Sequence, residues 1–133
     1  MGFAFGHKHI IQYINKVTGP YDVNSFAVTA ALAALNDKSY IDNYVSEVKK
    51  ARVLIEKKFE SISIRKHFGG GNYFLIWPKK NPEILTRQMR EKGILIREMK
   101  NKKDIENSIR VSIGTQDQMS FFWSTYKILD LNN

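Results

Sequence analysis

Two arginines stand out among the residues able to do chemistry. Arg97 and Arg110 each end or interrupt a short apolar stretch, at the position that alternates with Ile and Val. On adjacent strands they would share one sheet edge and converge on a single anion. A guanidinium suits that task because its planar fork meets carboxylate or phosphate through two parallel, charge-assisted bonds. Spacing alone favours an ordinary surface salt bridge. The other combinations are weaker. His7 and His9 could share a strand face, but no third ligand lies near and His67 is far along the chain, so no metal site is expected. Gly69-Gly70-Gly71 lacks the Lys-Ser/Thr of a phosphate-binding loop and leads into a strand, so it reads as a turn. Ser25 and Ser112 have no neighbouring His-plus-carboxylate signature for an activated nucleophile. No catalytic residue is assigned.

The elements that must carry these residues follow from periodicity. Met1–His9 resembles a strand with a Met in front and contains no leader pattern. Ile10, Ile14 and Val17 keep helical spacing until Thr18-Gly19-Pro20 stops them. An alanine-rich helix follows around residues 23–35. Ser39 to Asp42 reads as a capping box for a long helix with the stripe Ile41, Tyr44, Val48, Ala51, Ile55, Phe59 and Ile62.

Beyond that helix the period drops to two. Ile62 and Ile64 alternate with polar neighbours, and Tyr73–Trp77 is a buried-strand run. Asn81-Pro82-Glu83 opens a helix that Gly93 closes. Ile94–Arg97 and the Ile109, Val111, Ile113 alternation are strands, separated by a loop at Lys100–Lys103. Thr115 and Gln118 form a capping box for a last helix, with Met119, Phe122, Trp123 and Tyr126 inward. The fold class is α/β (α+β), long helices packed on a small sheet.

Composition sets the outer bounds. The 133 residues are 43% hydrophobic and 12% aromatic, which requires a packed core and excludes a disordered chain. No run of about 18 apolar residues exists, so no membrane span is expected. The chain has no cysteine, which removes disulfides, thiolate metal sites and cysteine nucleophiles, and is consistent with a cytoplasmic location. The net charge of +8 could attract nucleic acid or phosphorylated metabolites. The aromatics sit at core spacing, so nucleic acid is disfavoured, and any binding should vanish by physiological salt.

Five strings occur in the order and spacing of one family. They are Gly2-Phe3-Ala4, Pro20-Tyr21-Asp22-Val23-Asn24-Ser25, Asn72-Tyr73-Phe74, Gly93-Ile94-Leu95-Ile96-Arg97 and Ile109 to Thr115. The chain resembles the C-terminal, small-domain portion of a histidinol-phosphate-type aminotransferase. That family belongs to the pyridoxal-phosphate (PLP)-dependent fold-type I, class I/II branch. The resemblance implies that Arg110 grips the substrate's acidic group and Arg97 helps hold a phosphate. It places Tyr21 and Asn24 near the active-site mouth. It also implies that residues 1–36 are a remnant of the large domain with its interdomain helices, and 37–133 the small domain.

In the family the lysine that bonds PLP lies upstream of the Gly-Phe-Ala strand. The chain is therefore expected to hold no cofactor and to be inactive alone, whereas its parent carries PLP. The parent's substrate would be a small anionic or phosphorylated molecule, and the parent a homodimer. Without a large domain, the alanine-rich helix should drive self-association. Phospho-amino-acid decarboxylases share the arginines and are the nearest alternative. A basic nucleic-acid-binding or interaction module is the remaining one.

Overall fold

The computed structural model describes residues 2–19 and 22–132. Its contacts divide the chain into two compact units, Met1–Asn43 and Tyr44–Asn133. Helix α3, Lys38–Glu60, runs through the boundary.

The first unit holds α1 (Lys8–Asn15), α2 (Ser25–Asn36) and the start of α3. Asn24 caps α2 by accepting from the Ala27 N–H at 2.9 Å, which satisfies one of the orphan amides of a helix N-terminus. Neither α1 nor α2 has a buried residue. Phe26 is 90% exposed and Val17 85%.

Two expectations fail in this unit. Residues 2–7 form no strand; among the described residues they have no neighbouring ladder to satisfy an extended backbone. The cap of α3 is Asp37 and not Ser39. The Asp37 Oδ1 accepts from the Tyr40 N–H and from the Ser39 hydroxyl, both at 3.1 Å. A carboxylate two residues earlier is the stronger acceptor at a helix's positive end.

The second unit is a four-stranded antiparallel sheet with helices on one face. The strands are β1 (Lys66–Phe68), β2 (Tyr73–Ile76), β3 (Arg97–Glu98) and β4 (Ile109–Ser112), in the order β1-β2-β4-β3. Helices α4 (Pro82–Glu91) and α5 (Gln116–Tyr126) join α3 around it. Phe68 pairs with Phe74, which pairs with Val111, and Ile76 pairs with Ile109. Opposed residues share a face, so these side chains form the inner surface. They pack with Ala51, Ile55 and Phe59 of α3, Leu85 and Met89 of α4, and Met119, Phe122 and Tyr126 of α5. The Phe59 ring meets Trp123 edge-on at 5.1 Å between centroids and lies 5.7 Å from Phe74. Phe74 meets Phe122 edge-on at 5.9 Å. Truncating a residue at such a centre costs about 3–5 kcal/mol.

Caps and turns follow the sequence closely here. Asn81 accepts from Glu83 and Ile84, with Pro82 at the first helical position. Gly93 adopts φ +79, a left-handed conformation that favours glycine. The Ile94 N–H then closes onto the Met89 carbonyl at 2.9 Å, ending α4. Thr115 and Gln118 form the reciprocal capping box of α5.

Two strands are shorter than expected. Ile62 and Ile64 donate to Phe59 and Ile62 carbonyls, so their amides are spent in turns and β1 begins only at Lys66. Ile94 is likewise committed to the end of α4, and β3 contains only Arg97 and Glu98.

After α5 the chain widens into a π-helical turn, Lys127–Leu131. It carries Asp130, which is 1% exposed. The carboxylate accepts from the Lys79 N–H at 3.1 Å, the Lys80 N–H at 2.8 Å and the Tyr126 hydroxyl at 2.7 Å. This ties the β2–α4 connection to the end of the chain. Burial pushes the Tyr126 hydroxyl pKa well above its ordinary value, and the hydrogen bond to Asp130 adds to the shift.

Candidate anion-binding site on the outer sheet face

The outer face carries the residues that alternate with the core. Its central row is His67, Leu75, Arg110 and Arg97, one residue from each strand in direct register. Arg97 and Arg110 are thus direct cross-strand partners, Arg97 on the edge strand and Arg110 one strand in. Like charges placed directly opposite destabilise a sheet. Neither arginine has a carboxylate within ion-pair distance among the described residues. The salt-bridge reading of the sequence therefore has no partner here. Two arginines on neighbouring strands without acidic partners suit an incoming anion.

Their surroundings add to the positive field. Arg65 stacks over the Trp77 ring at 3.9 Å, and the Trp77 indole donates to the Glu106 carbonyl at 3.0 Å. Glu98 of β3 is engaged by a lysine. Lys100 sits 3.0 Å from Glu83 and 3.3 Å from Glu98, and its hydrogen bonds to Glu83 and then Glu98 raise its pKa.

The Arg110 guanidinium lies over the ring of Tyr73, 5.3 Å from its centroid. Tyr73 itself pairs with Ser112. The turn before Tyr73 is clamped by Arg52 of α3. Its Nη1 donates to the Gly71 carbonyl at 2.9 Å, its Nη2 to the Gly69 carbonyl, and its Nε to Glu56 at 2.8 Å. The Asn72 carbonyl accepts from Ile113 at 2.8 Å, tying the same turn to the end of β4. A groove of about 370 Å³ opens beside this end, with Asn72, Ile94, Leu95, Ser112, Gln118 and Phe121 in its wall. Neither arginine lines it.

Of the four residues singled out in the sequence, Arg97 and Arg110 are brought together. Asn24 lies in the first unit, where its side-chain oxygen serves as the α2 cap. Tyr21 lies outside the described residues. Tyr73 and Arg52 were not singled out. Tyr73 carried a signal in retrospect, because it is the polar-tipped aromatic that opens the Tyr73–Trp77 run. Arg52 carried none, since its partners are backbone carbonyls 17 and 19 residues away.

Residues 1–122 match the family description "Aminotransferase class I and II". The chain belongs to that family. It is 32% identical, over 89% of its length, to "Histidinol-phosphate aminotransferase 1" of Nostoc sp., and covers 33% of that protein. The crystal structure of the histidinol-phosphate aminotransferase from Clostridium acetobutylicum superposes with a TM-score of 0.80 at 25% identity, over 95% of this chain and 39% of that one. L-threonine-O-3-phosphate decarboxylase from Porphyromonas gingivalis shares the fold, with a TM-score of 0.70 at 20% identity, over 92% of this chain and 39% of that one. The chain thus spans about a third of the length of the relatives it matches.

The family uses PLP, and the residues present do not fit that group. Holding its aldehyde requires a lysine amine that burial keeps available as a free base. Among the described lysines only Lys66 and Lys80 are even half-buried. The Lys66 ammonium donates to the Phe59 and Ile62 carbonyls at 2.5 and 2.9 Å, and Lys80 reaches Gln88 at 3.5 Å. Both amines are thus committed to protein acceptors.

Proposed function

We propose that this chain is the substrate-gripping C-terminal part of a PLP-dependent aminotransferase. The reaction moves an amino group between an amino acid and a keto or phosphorylated acceptor of the histidinol-phosphate kind. The observation that carries this reading is the direct cross-strand pairing of Arg97 with Arg110, free of acidic partners, on the outer sheet face. Arg110 grips the substrate's acidic group, and Arg97 contributes to holding its phosphate. By the family resemblance, Asn24 and Tyr21 also contribute to substrate binding in the complete enzyme. Residues 1–36 correspond to part of the large domain and 37–133 to the small domain.

In this reading the cofactor and its lysine come from the rest of the enzyme, so the isolated chain turns over no substrate. The complete enzyme is a cytoplasmic homodimer. The decarboxylase shares the fold at a lower TM-score, and no residue described here favours decarboxylation.

The test joins this chain to the preceding two-thirds of the Clostridium acetobutylicum relative. It compares kcat/KM for histidinol phosphate and histidinol. Arg110→Ala should depress the value for histidinol phosphate, by about 2–4 kcal/mol of lost charge-assisted contact, and change that for histidinol, which has no acidic group, far less. Arg110→Lys should rescue little, because the charge remains and the fork is lost. Arg97→Ala should lower the ratio of the two values more than it lowers turnover of the unphosphorylated compound. An unchanged ratio in Arg97→Ala, or near-normal activity in Arg110→Lys, refutes the roles assigned.

A further inference from the structure

We propose that Tyr73 is a positioning residue that aims the Arg110 guanidinium, and that Gly71 is glycine so that the Tyr73 ring can occupy its place. The proposal rests on the reading of Arg110 as the anion grip and adds how that grip is held. On one side Arg110 faces Arg97, which repels it, and on the other Leu75, which offers no polar atom. The one attractive contact to its charge among the described residues is the face of the Tyr73 ring.

Tyr73 pairs with Ser112, so it is a diagonal neighbour of Arg110. Diagonal side chains start about 7–8 Å apart at their Cα atoms. The observed 5.3 Å from guanidinium to ring centroid therefore requires Arg110 to lean along β4 toward Ser112. That distance is inside the range of a cation–π attraction. The lean takes the guanidinium away from its like-charged partner and toward the end of β4. Without the ring, the long Arg110 side chain would search many rotamers, and ordering it on binding has an entropic cost.

The ring is itself held. A Cβ at Gly71 would stand 2.8 Å from Tyr73 Cε1, closer than a Cβ approaches another carbon, and 3.1 Å from Cδ1. Any side chain at position 71 would therefore displace the ring. Nor can the turn readily yield, because Arg52 binds the Gly69 and Gly71 carbonyls and is itself braced by Glu56. No hydrogen bond of the Tyr73 hydroxyl occurs among the described residues, so the ring carries the effect and the hydroxyl does not.

The experiment uses the 133-residue chain with inorganic phosphate as the probe, followed by NMR of the arginine side chains. In the free chain, ring current from Tyr73 should move the Arg110 Hδ resonances upfield. Tyr73→Phe should keep that shift, while Tyr73→Leu and Gly71→Ala should abolish it. Phosphate affinity, read at Arg110 Nε, should be unchanged in Tyr73→Phe and about threefold weaker in Tyr73→Leu and Gly71→Ala, the size of an exposed cation–π contact. The Ile113 amide resonance, which reports the Asn72–Ile113 tie, should stay in place in the two Tyr73 variants. An unchanged upfield shift in Tyr73→Leu overturns the proposal, as does a Tyr73→Phe that loses as much affinity as Tyr73→Leu. If Arg110 in the unaltered chain does not respond to phosphate at all, the anion-site reading fails and takes the functional half of this inference with it. The ring-current comparison then still decides whether Tyr73 aims Arg110.

Discussion

Removing the Asp130 carboxylate should be among the most damaging single changes in the second unit. The carboxylate is 1% exposed and accepts three hydrogen bonds, from two backbone amides and a fully buried tyrosine hydroxyl. Asp130→Ala leaves three donors without an acceptor, and each buried unsatisfied group costs about 1–3 kcal/mol. Lys79 is exposed, so water can reach its amide, and Lys80 is half-buried; the Tyr126 hydroxyl has no such relief. A total near 3–5 kcal/mol follows, a large part of the roughly 5–15 kcal/mol that holds an ordinary domain together.

The assay is urea unfolding followed by tryptophan fluorescence, since Trp123 packs against both Phe59 and Tyr126. With a slope of about 1–3 kcal/mol/M the midpoint should fall by about 2 M. Asp130→Asn keeps one acceptor oxygen and should lose about half as much, and Tyr126→Phe about 1–2 kcal/mol. In a double-mutant cycle the two sites should couple by at least about 0.5 kcal/mol, since they are in direct contact. An Asp130→Ala variant within about 1 kcal/mol of the parent chain, against the cost of even one orphaned donor, would show that the three bonds are not made in solution.

Three further outcomes are expected. The raised Tyr126 pKa means the folded state keeps a proton that the unfolded state releases above about pH 10. Stability that this group contributes is thus fully present below that pH and falls above it, by about 1.4 kcal/mol per pH unit for one proton. Tyr126→Phe should remove that part of the alkaline limb in a pH series of urea midpoints, and an identical limb would refute the assignment. Incubation with PLP and borohydride should label no lysine stoichiometrically, only scattered exposed ones; mass spectrometry finding one uniquely labelled lysine at micromolar PLP refutes the fit argument. The exposed apolar residues of the first unit, Phe5, Phe26 and Val17 foremost, should drive self-association at tens of micromolar (roughly the regime of modest interfaces), and a sharp monomer boundary in sedimentation at high concentration would refute it.

Local chemistry was legible in the sequence wherever one or two residues sufficed to set it. Asn81-Pro82, the Thr115–Gln118 box, Gly93 and the turn at Gly69–Gly71 act within a few residues, and the structure has each where the pattern placed it. The core stripe Ala51, Ile55, Phe59 was equally plain, because helical spacing alone puts those side chains on one face. The pairing of Arg97 with Arg110 was half legible. Alternation fixes which face each arginine takes within its strand, but only the order β1-β2-β4-β3 and the register place them opposite one another. What the tertiary structure alone decided are contacts across long separations. Arg52 reaches carbonyls 17 and 19 residues away, and Asp130 reaches amides 50 and 51 residues away. Their partners are backbone atoms, which every residue possesses, so no side-chain pattern announces them. The strand ends were lost for a related reason: Ile62, Ile64 and Ile94 have strand-like side chains, but their amides were already spent in closing helices and turns.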